Sequence, residues 1–328
     1  MTDAPVKVLC ITGWCRNGST IIGNILNEIP GFFHVGELHF LWKNAAGKGV
    51  NNLCGCGLPL TECAIWAPIL AELRPQGTDL PAYADEVIGR QLSCVRTRHT
   101  WRVLRQGLRG TAITTHAELM ANTYRAIAER TGARVIVDTT KIPGEAALLP
   151  RIDGVMTYFV HLVRDPRAVA LSWRYWKEYV YPLPARTSTG YWYGFNLASR
   201  AITRRYPEQS RLLRYEDFIA DPAAAVDVLL RLCDEDPAAN PMTGRVIDLN
   251  VNHTVTGNPG RFRTGSTEIS AADDAWRAGL PASAKLTVLA MSWPLFGRYG
   301  YRYRGTFTIG AKAGDEEAGR WISESETR

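Results

Sequence analysis

At 328 residues the chain is long enough to bury a large core as one α/β domain or two small ones, and its apolar, charged and aromatic fractions are those of an ordinary globular protein. The net charge of +6 suits an anionic ligand, but the basic residues are spread along the chain, and no concentrated basic run or RNA-binding motif argues for nucleic acid. No stretch approaches the ~20 continuous apolar residues of a membrane span. The apolar run 6–12 is too short for a signal-peptide core, and seven cysteines, an odd number, argue against a secreted disulfide framework, so the expected location is cytoplasmic.

In chain order, residues 6–12 (VKVLCIT) read as a buried strand, followed by a Gly-bounded loop at 13–19 and a helix over about 20–28. Residues 47–64 are Gly- and Cys-rich and read as an irregular insertion. A helix is expected over 117–131, stopped by Gly132, with a strand at 135–138 after it. Residues 156–163 read as another strand, and Pro166 sits at the start of a helix, where its missing N–H costs nothing. A short strand at 211–213 and a helix over about 222–233 complete the pattern. Alternating strands and helices indicate an α/β fold with a central parallel sheet flanked by helices on both faces. One domain is expected over 1–305, with a polar Gly/Glu/Ser-biased tail at 306–328.

Gly13-Trp14-Cys15-Arg16-Asn17-Gly18-Ser19-Thr20 follows a strand and opens a helix with the glycine spacing of a Walker A loop. In such a loop consecutive backbone N–H groups and the helix N-terminus point at an anion. Ser19 stands where the loop Lys belongs, and a cation comes earlier, at Arg16. Without that Lys the usual grip on β- and γ-phosphates is missing, and a single 5′-phosphate carrying a transferable group fits better. Further on, Arg164 ends a strand at the edge where open α/β sheets bind ligands, and Ser172 follows two helical turns later. Arginine plus hydroxyl can clamp a second phosphate; a local Arg164–Asp165 ion pair is the competing reading.

Together these segments resemble the sulfotransferase family. Residues 13–20 look like its 5′-phosphosulfate loop, and 161–172 look like its 3′-phosphate motif with the same Arg-to-Ser spacing. His253-Thr254-Val255-Thr256-Gly257-Asn258-Pro259-Gly260-Arg261-Phe262 is similar to the C-terminal GNPxRF segment of bacterial sulfotransferases. Arg214-Tyr215-Glu216-Asp217-Phe218 and the segment 138–141 are further landmarks, so the resemblance spans roughly 6–304. The chain departs from the common P-[KR]-[ST]-G-T-T loop at Cys15, Asn17 and Ser19.

The resemblance implies a three-layer P-loop-like fold. It also implies in-line transfer of a sulfuryl group from 3′-phosphoadenosine 5′-phosphosulfate (PAPS) to a hydroxyl of a small-molecule, carbohydrate or lipid acceptor, releasing 3′-phosphoadenosine 5′-phosphate (PAP). Glu37 in Gly36-Glu37-Leu38-His39-Phe40 matches the family's general base, and His39, with an ordinary pKa nearer neutrality, competes for that role. Arg16 is expected near the bridging oxygen, Asn17, Gly18, Ser19 and Thr20 at the 5′-phosphate, Arg164 and Ser172 at the 3′-phosphate, and Tyr215, Gly257, Asn258 and Arg261 around the nucleotide. A homo-oligomer is compatible with the sequence.

No metal is expected. Cys54, Cys56 and Cys63 give three thiols in C-x-C-x₆-C spacing with only His39 as a nearby fourth donor, so a Gly/Cys-rich structured loop is preferred to zinc. Arg98, Arg102, Arg105 and Arg109 recur at helical spacing and read as the solvated face of an amphipathic helix. Trp173, Tyr175, Trp176, Tyr179, Tyr181, Tyr191, Trp192 and Tyr193 divide between core and an aromatic acceptor pocket. The competing functions are a P-loop NTPase or small-molecule kinase, with Asp138 ending an apolar strand as a Mg²⁺-binding Asp does, and a non-catalytic nucleotide-binding module.

Overall fold

The computed structural model describes residues 5–175 and 181–302. The tail expected at 306–328, Trp176 and Tyr179 lie outside those residues. Five parallel strands form the central sheet: β1 (Val6–Thr12), β2 (Phe32–Gly36), β3 (Val135–Asp138), β4 (Val155–Val163) and β5 (Ser210–Arg214), in the order β2-β3-β1-β4-β5. A two-stranded antiparallel ribbon, β6 (Val246–Leu249) and β7 (Gly265–Glu268), lies outside it.

Alternation along the strands explains the layers. In β1, Val8 and Cys10 face one apolar cluster while Leu9 and Ile11 face another; β3 and β4 divide the same way at Ile136 against Val135 and Val137, and at Phe159 against Val160 and Leu162. Helix α1 (Ser19–Asn27) contributes Ile22, Ile25 and Leu26 to the second cluster. A later helix, Pro222–Leu232, adds Val226, Leu229 and Leu230 to the same cluster. The first cluster is closed by Tyr124 and Ile127 of the helix Thr111–Thr131 and by Trp66. The result is the three-layer α/β arrangement with a parallel sheet between helices.

Element boundaries differ modestly from the sequence reading, except that the helix expected over 117–131 already begins at Thr111 and the basic stretch before it is divided. The basic stretch 98–109 is not one helix: a 3₁₀ turn (Thr97–His99) leads into the helix Thr100–Gln106, which stops at Gly107 with φ +63°. Arg109 therefore lies beyond the helix that carries Arg102 and Arg105, and the expected basic face is cut short. The periodicity of the arginines was real, but a glycine able to take left-handed φ ends the helix.

Two helical glycines should respond oppositely to alanine. At Gly23 in α1 a Cβ would lie 2.4 Å from the His34 ring, which cannot swing away because Nδ1 meets Asn24 Oδ1 at 3.2 Å and Nε2 meets Thr139 Oγ1 at 3.3 Å. At Gly89, within the helix Leu80–Cys94, a Cβ meets nothing within 4 Å. Gly89→Ala should raise unfolding stability by about 0.5–1 kcal/mol, whereas Gly23→Ala should lower it by about 1–3 kcal/mol through overpacking. Denaturant unfolding of both variants measures this; equal shifts would show that the His34 contact does not constrain α1.

Candidate active site

The loop 13–20, Glu37, Lys141, Arg164 and Tyr215 follow the carboxyl ends of β1, β2, β3, β4 and β5 in turn, the edge at which open parallel sheets bind ligands, whereas Gly257, Asn258 and Arg261 come after the ribbon strand β6. After β1, Gly13 adopts φ +130°, and a Cβ there would lie 2.3 Å from the Leu162 carbonyl oxygen of β4. Asn17 is buried and serves the loop itself: Nδ2 donates to Leu162 O at 2.9 Å, and Oδ1 accepts from the Ser19 N–H at 3.3 Å. Gly18, with φ +94°, occupies the cap position of α1, and a Cβ there would enter the Tyr215 ring, at 2.3 Å. Arg16 holds left-handed φ (+70°) without being glycine, a strained conformation of the kind that clusters at ligand sites. Its guanidinium lies 5.5 Å from the centre of the Trp173 ring, beside a stack in which Trp14 contacts Trp173, Tyr191 and Phe195. Of the aromatic segment after Ser172, Trp192 is core, whereas Tyr191 stays half-exposed against Trp14.

The cation that the loop lacks arrives from β3. Lys141, three residues beyond the strand, is buried with φ +59°. Its Nζ donates to Glu37 Oε1 at 2.8 Å, to Ser19 Oγ at 3.3 Å and to the Thr139 carbonyl at 2.6 Å. Burial works against its charge, but the neighbouring Glu37 carboxylate more than compensates, so its pKa is raised. Glu37 follows β2, and its N–H donates to Thr256 O at 3.2 Å. One ammonium thus joins the start of α1 to the candidate base. The segment 138–141 stands out in the sequence as a landmark, but Lys141 has no assigned role there; its position as a cation three residues past the end of β3 was the available signal.

His39 is placed differently from Glu37. Its Nδ1 pairs with Glu145 Oε2 at 2.6 Å, and Glu145 Oε1 meets His116 Nε2 at 2.8 Å. Burial depresses the His39 pKa, but Glu145 more than reverses this, so the net shift is upward. Burial alone would raise Glu145; the two histidines instead hold its carboxyl well below the usual range. The triad borders a cavity of about 30 Å³ lined also by Gln91 and Met120, room enough for a water. Glu145 and His116 were not anticipated from the sequence, because each lies far along the chain from His39.

Arg164 does not pair with Asp165. Asp165 caps the helix Pro166–Arg174 and holds Arg167, whereas Arg164 makes a bidentate pair with Asp273 at 2.7 and 2.5 Å and donates from Nη1 to the Arg16 carbonyl at 2.8 Å. Tyr215 stacks on its guanidinium at 4.7 Å. Arg164, Ser172, Asp273 and Trp276 line one cavity of about 240 Å³, so the arginine and the serine two turns later do converge. In the C-terminal segment, Gly257 approaches Thr20, whose Oγ1 would lie 3.7 Å from a Cβ at that glycine. Asn258 accepts from Gly260 N–H at 3.1 Å. Arg261 is buried and donates to Thr254 O, Asn51 Oδ1 and Leu53 O, tying this segment to the insertion. Asp138 is also buried: the Tyr124 hydroxyl and the Thr140 N–H donate to it at 2.7 and 2.8 Å, and burial raises its pKa to about 6.

No protein-family model and no curated protein matches the chain. Among solved structures, it is similar to the sulfotransferase domain of the Synechococcus PCC 7002 olefin synthase, at 18% identity and TM-score 0.52, covering 91% of this chain and 96% of that one. It is also similar to the sulfotransferase domain from the curacin biosynthetic pathway, at 17% identity and TM-score 0.50, covering 92% and 99%. The likeness establishes the fold, the P-loop-like α/β fold of sulfotransferase domains.

The His39–Glu145 pair carries a pH signature. A histidine whose pKa is raised on folding from 6.5 adds stability that is full below 6.5 and lost as pH rises through its folded value; a carboxyl lowered from 4.5 adds stability that is full above 4.5 and lost on acidification. His39→Asn should therefore cost most stability between pH 4.5 and 6.5 and progressively less in alkaline solution. Unfolding curves of both proteins across pH 4.5–9.5 give the test; a stability gap that widens above neutrality would contradict the pairing.

Proposed function

We propose that this chain is a PAPS-dependent sulfotransferase with Glu37 as general base. The observation that carries the reading is the convergence at one sheet edge of the Gly13–Gly18 loop, the Lys141–Glu37 pair and the Arg164–Ser172 cavity. The donor supplies a sulfuryl group already activated on a 5′-phosphate. The loop backbone and the start of α1 suit that phosphate, with Ser19 and Thr20 as hydroxyl donors. Lys141, beside Ser19, offsets charge on the leaving phosphate, a role shared with Arg16. Arg164 and Ser172 suit the 3′-phosphate: the Asp273 carboxylate now on the guanidinium shows that the fork accepts a planar anion, and a bound phosphate has to displace it. Arg261 acts by positioning the 252–262 segment, and Asn258 and Gly257 shape the turn that faces Thr20.

The acceptor hydroxyl attacks sulfur as the bond to the 5′-phosphate oxygen breaks, and Glu37 takes the hydroxyl proton. What favours Glu37 over His39 is geometry and charge: Glu37 adjoins Lys141 and the loop, whereas His39 gives Nδ1 to Glu145 and is held toward imidazolium. The kinase or NTPase alternative loses support because Asp138 is enclosed by Tyr124 and Thr140 rather than open to a cation. The acceptor is a hydroxyl-bearing small molecule, carbohydrate or lipid, and the stacked wall of Trp14, Trp173 and Tyr191 beside Arg16 suits an apolar or ring-bearing one.

Incubation with PAPS and an acceptor panel, followed by mass spectrometry for a sulfate adduct, tests the activity. Glu37→Gln should lower turnover by roughly 10²–10⁴-fold with PAP affinity nearly unchanged, while His39→Asn retains most activity. Normal turnover in Glu37→Gln would refute its role as base, and cleavage of Mg²⁺–ATP with PAPS left intact would refute the proposed class.

A further inference from the structure

The insertion 47–64 contributes nothing to the transfer chemistry described above, yet it is built around a closed set of donors. The sequence offered three thiols and, at best, His39 as a fourth ligand. The structure instead brings up His253, 190 residues beyond Cys63, while His39 is engaged by Glu145. The Sγ atoms of Cys54, Cys56 and Cys63 and one ring nitrogen of His253 all lie within 4.8 Å of one another. His253 Nδ1 is 3.3 Å from Cys63 Sγ and 3.7 Å from Cys54 Sγ. Bond lengths of ~2.3 Å to sulfur and ~2.0–2.1 Å to nitrogen place S and N about 3.6 Å apart around a tetrahedral ion, so these separations are those of coordination edges.

The backbone is shaped to hold the set. Cys54 N–H donates to Leu58 O at 2.7 Å, and Gly57 N–H returns to Cys54 O at 2.9 Å, with Gly57 in left-handed φ (+87°). This tight knuckle carries Cys54 and Cys56. Cys63 sits just before the helix Trp66–Leu73, and the Trp66 indole N–H donates to the His253 carbonyl. Gly55 is pressed against the segment that carries His253: a Cβ there would lie 2.1 Å from Asn252 Oδ1. Cys54 and Cys63 are fully buried, while Cys56 and His253 are partly buried.

We propose that Cys54, Cys56, Cys63 and His253 form a structural Zn²⁺ site. Three thiolates and one imidazole in a tetrahedral arrangement select zinc over the hard oxygen-seeking cations, and four protein ligands leave no open position for catalysis. The three thiols lose protons on binding, with no change in oxidation state. The ion would fasten the insertion to the segment 252–257. That segment also donates from Val255 N–H to Val35 O of β2 and accepts at Thr256 O from Glu37 N–H, so the site stabilises the wall behind the candidate base. The inference does not depend on sulfuryl transfer.

The full chain, expressed in zinc-supplemented medium and purified without chelator, should carry about one zinc per chain by elemental mass spectrometry. Replacing the zinc with Co²⁺ should give thiolate charge-transfer and tetrahedral ligand-field absorption. Cys63→Ser and His253→Ala should lose the ion. Cys56→Ser, altering the one partly buried thiol and so the cysteine variant best able to fold, should bind more weakly by at least the roughly 10–100-fold seen for outer-shell losses. Cys94→Ser, outside the cluster, should retain full zinc. Trace zinc with no Co²⁺ spectrum, iron in place of zinc, a Cys54–Cys63 disulfide in the native protein, or full zinc retention in both Cys63→Ser and His253→Ala would each overturn the proposal.

Discussion

One buried ammonium sets the geometry of the sheet edge. Lys141 is enclosed where β1, β2 and β3 end, and its three contacts are to Ser19 at the end of the loop after β1, to Glu37 directly after β2 and to Thr139 directly after β3. A buried charge is tolerated only when paired and hydrogen-bonded, and removing one partner of such a pair typically costs about 3–5 kcal/mol. The three strand ends are therefore held together by an electrostatic requirement as well as by the sheet ladder. The same requirement brings a cation to the loop 13–20 without placing a lysine in it. The ammonium that pairs with Glu37 also donates to Ser19, so one charge links the candidate base to the start of α1.

The second support comes from the far end of the chain. Residues 252–262 lie against β2 and the insertion through the Arg261 guanidinium, the Asn51 amide and the backbone pair Val255–Val35. Glu37 is thus fixed from two sides, its carboxylate by Lys141 and its N–H by Thr256. The proposed in-line transfer needs preorganisation of this kind, because misplacing a reacting group by about 1 Å can cost about 100-fold in rate.

Local patterns were legible in the sequence, and long-range pairings were not. The strand at 6–12, the loop that follows it and the Arg164–Ser172 spacing rest on short-range periodicity and turn chemistry, and the structure reproduces them. The α/β class followed from the alternation of strands and helices. The family resemblance places Asn17 at the 5′-phosphate; its buried side chain braces the loop on Leu162 and Ser19, a contact that position in the loop does not reveal. Arg261 read as a nucleotide contact, yet its guanidinium is spent on Asn51, Leu53 and Thr254. Asp273 on Arg164, Glu145 on His39 and His253 beside Cys63 join residues 109, 106 and 190 positions apart. No spacing rule in one sequence reaches such pairs, because they are set by how loops and helices far apart in the chain pack together.

The central claim is that this edge holds a nucleotide bearing both a 5′- and a 3′-phosphate. Calorimetric titration with PAP and with 5′-AMP tests it most directly, since the two differ only in the phosphate assigned to Arg164 and Ser172. A paired, partly desolvated charge contact is worth about 2–5 kcal/mol, so PAP should bind roughly 30-fold or more tightly than 5′-AMP, and Arg164→Ala should abolish most of that difference. Equal affinity for the two ligands in the unaltered protein would contradict the account.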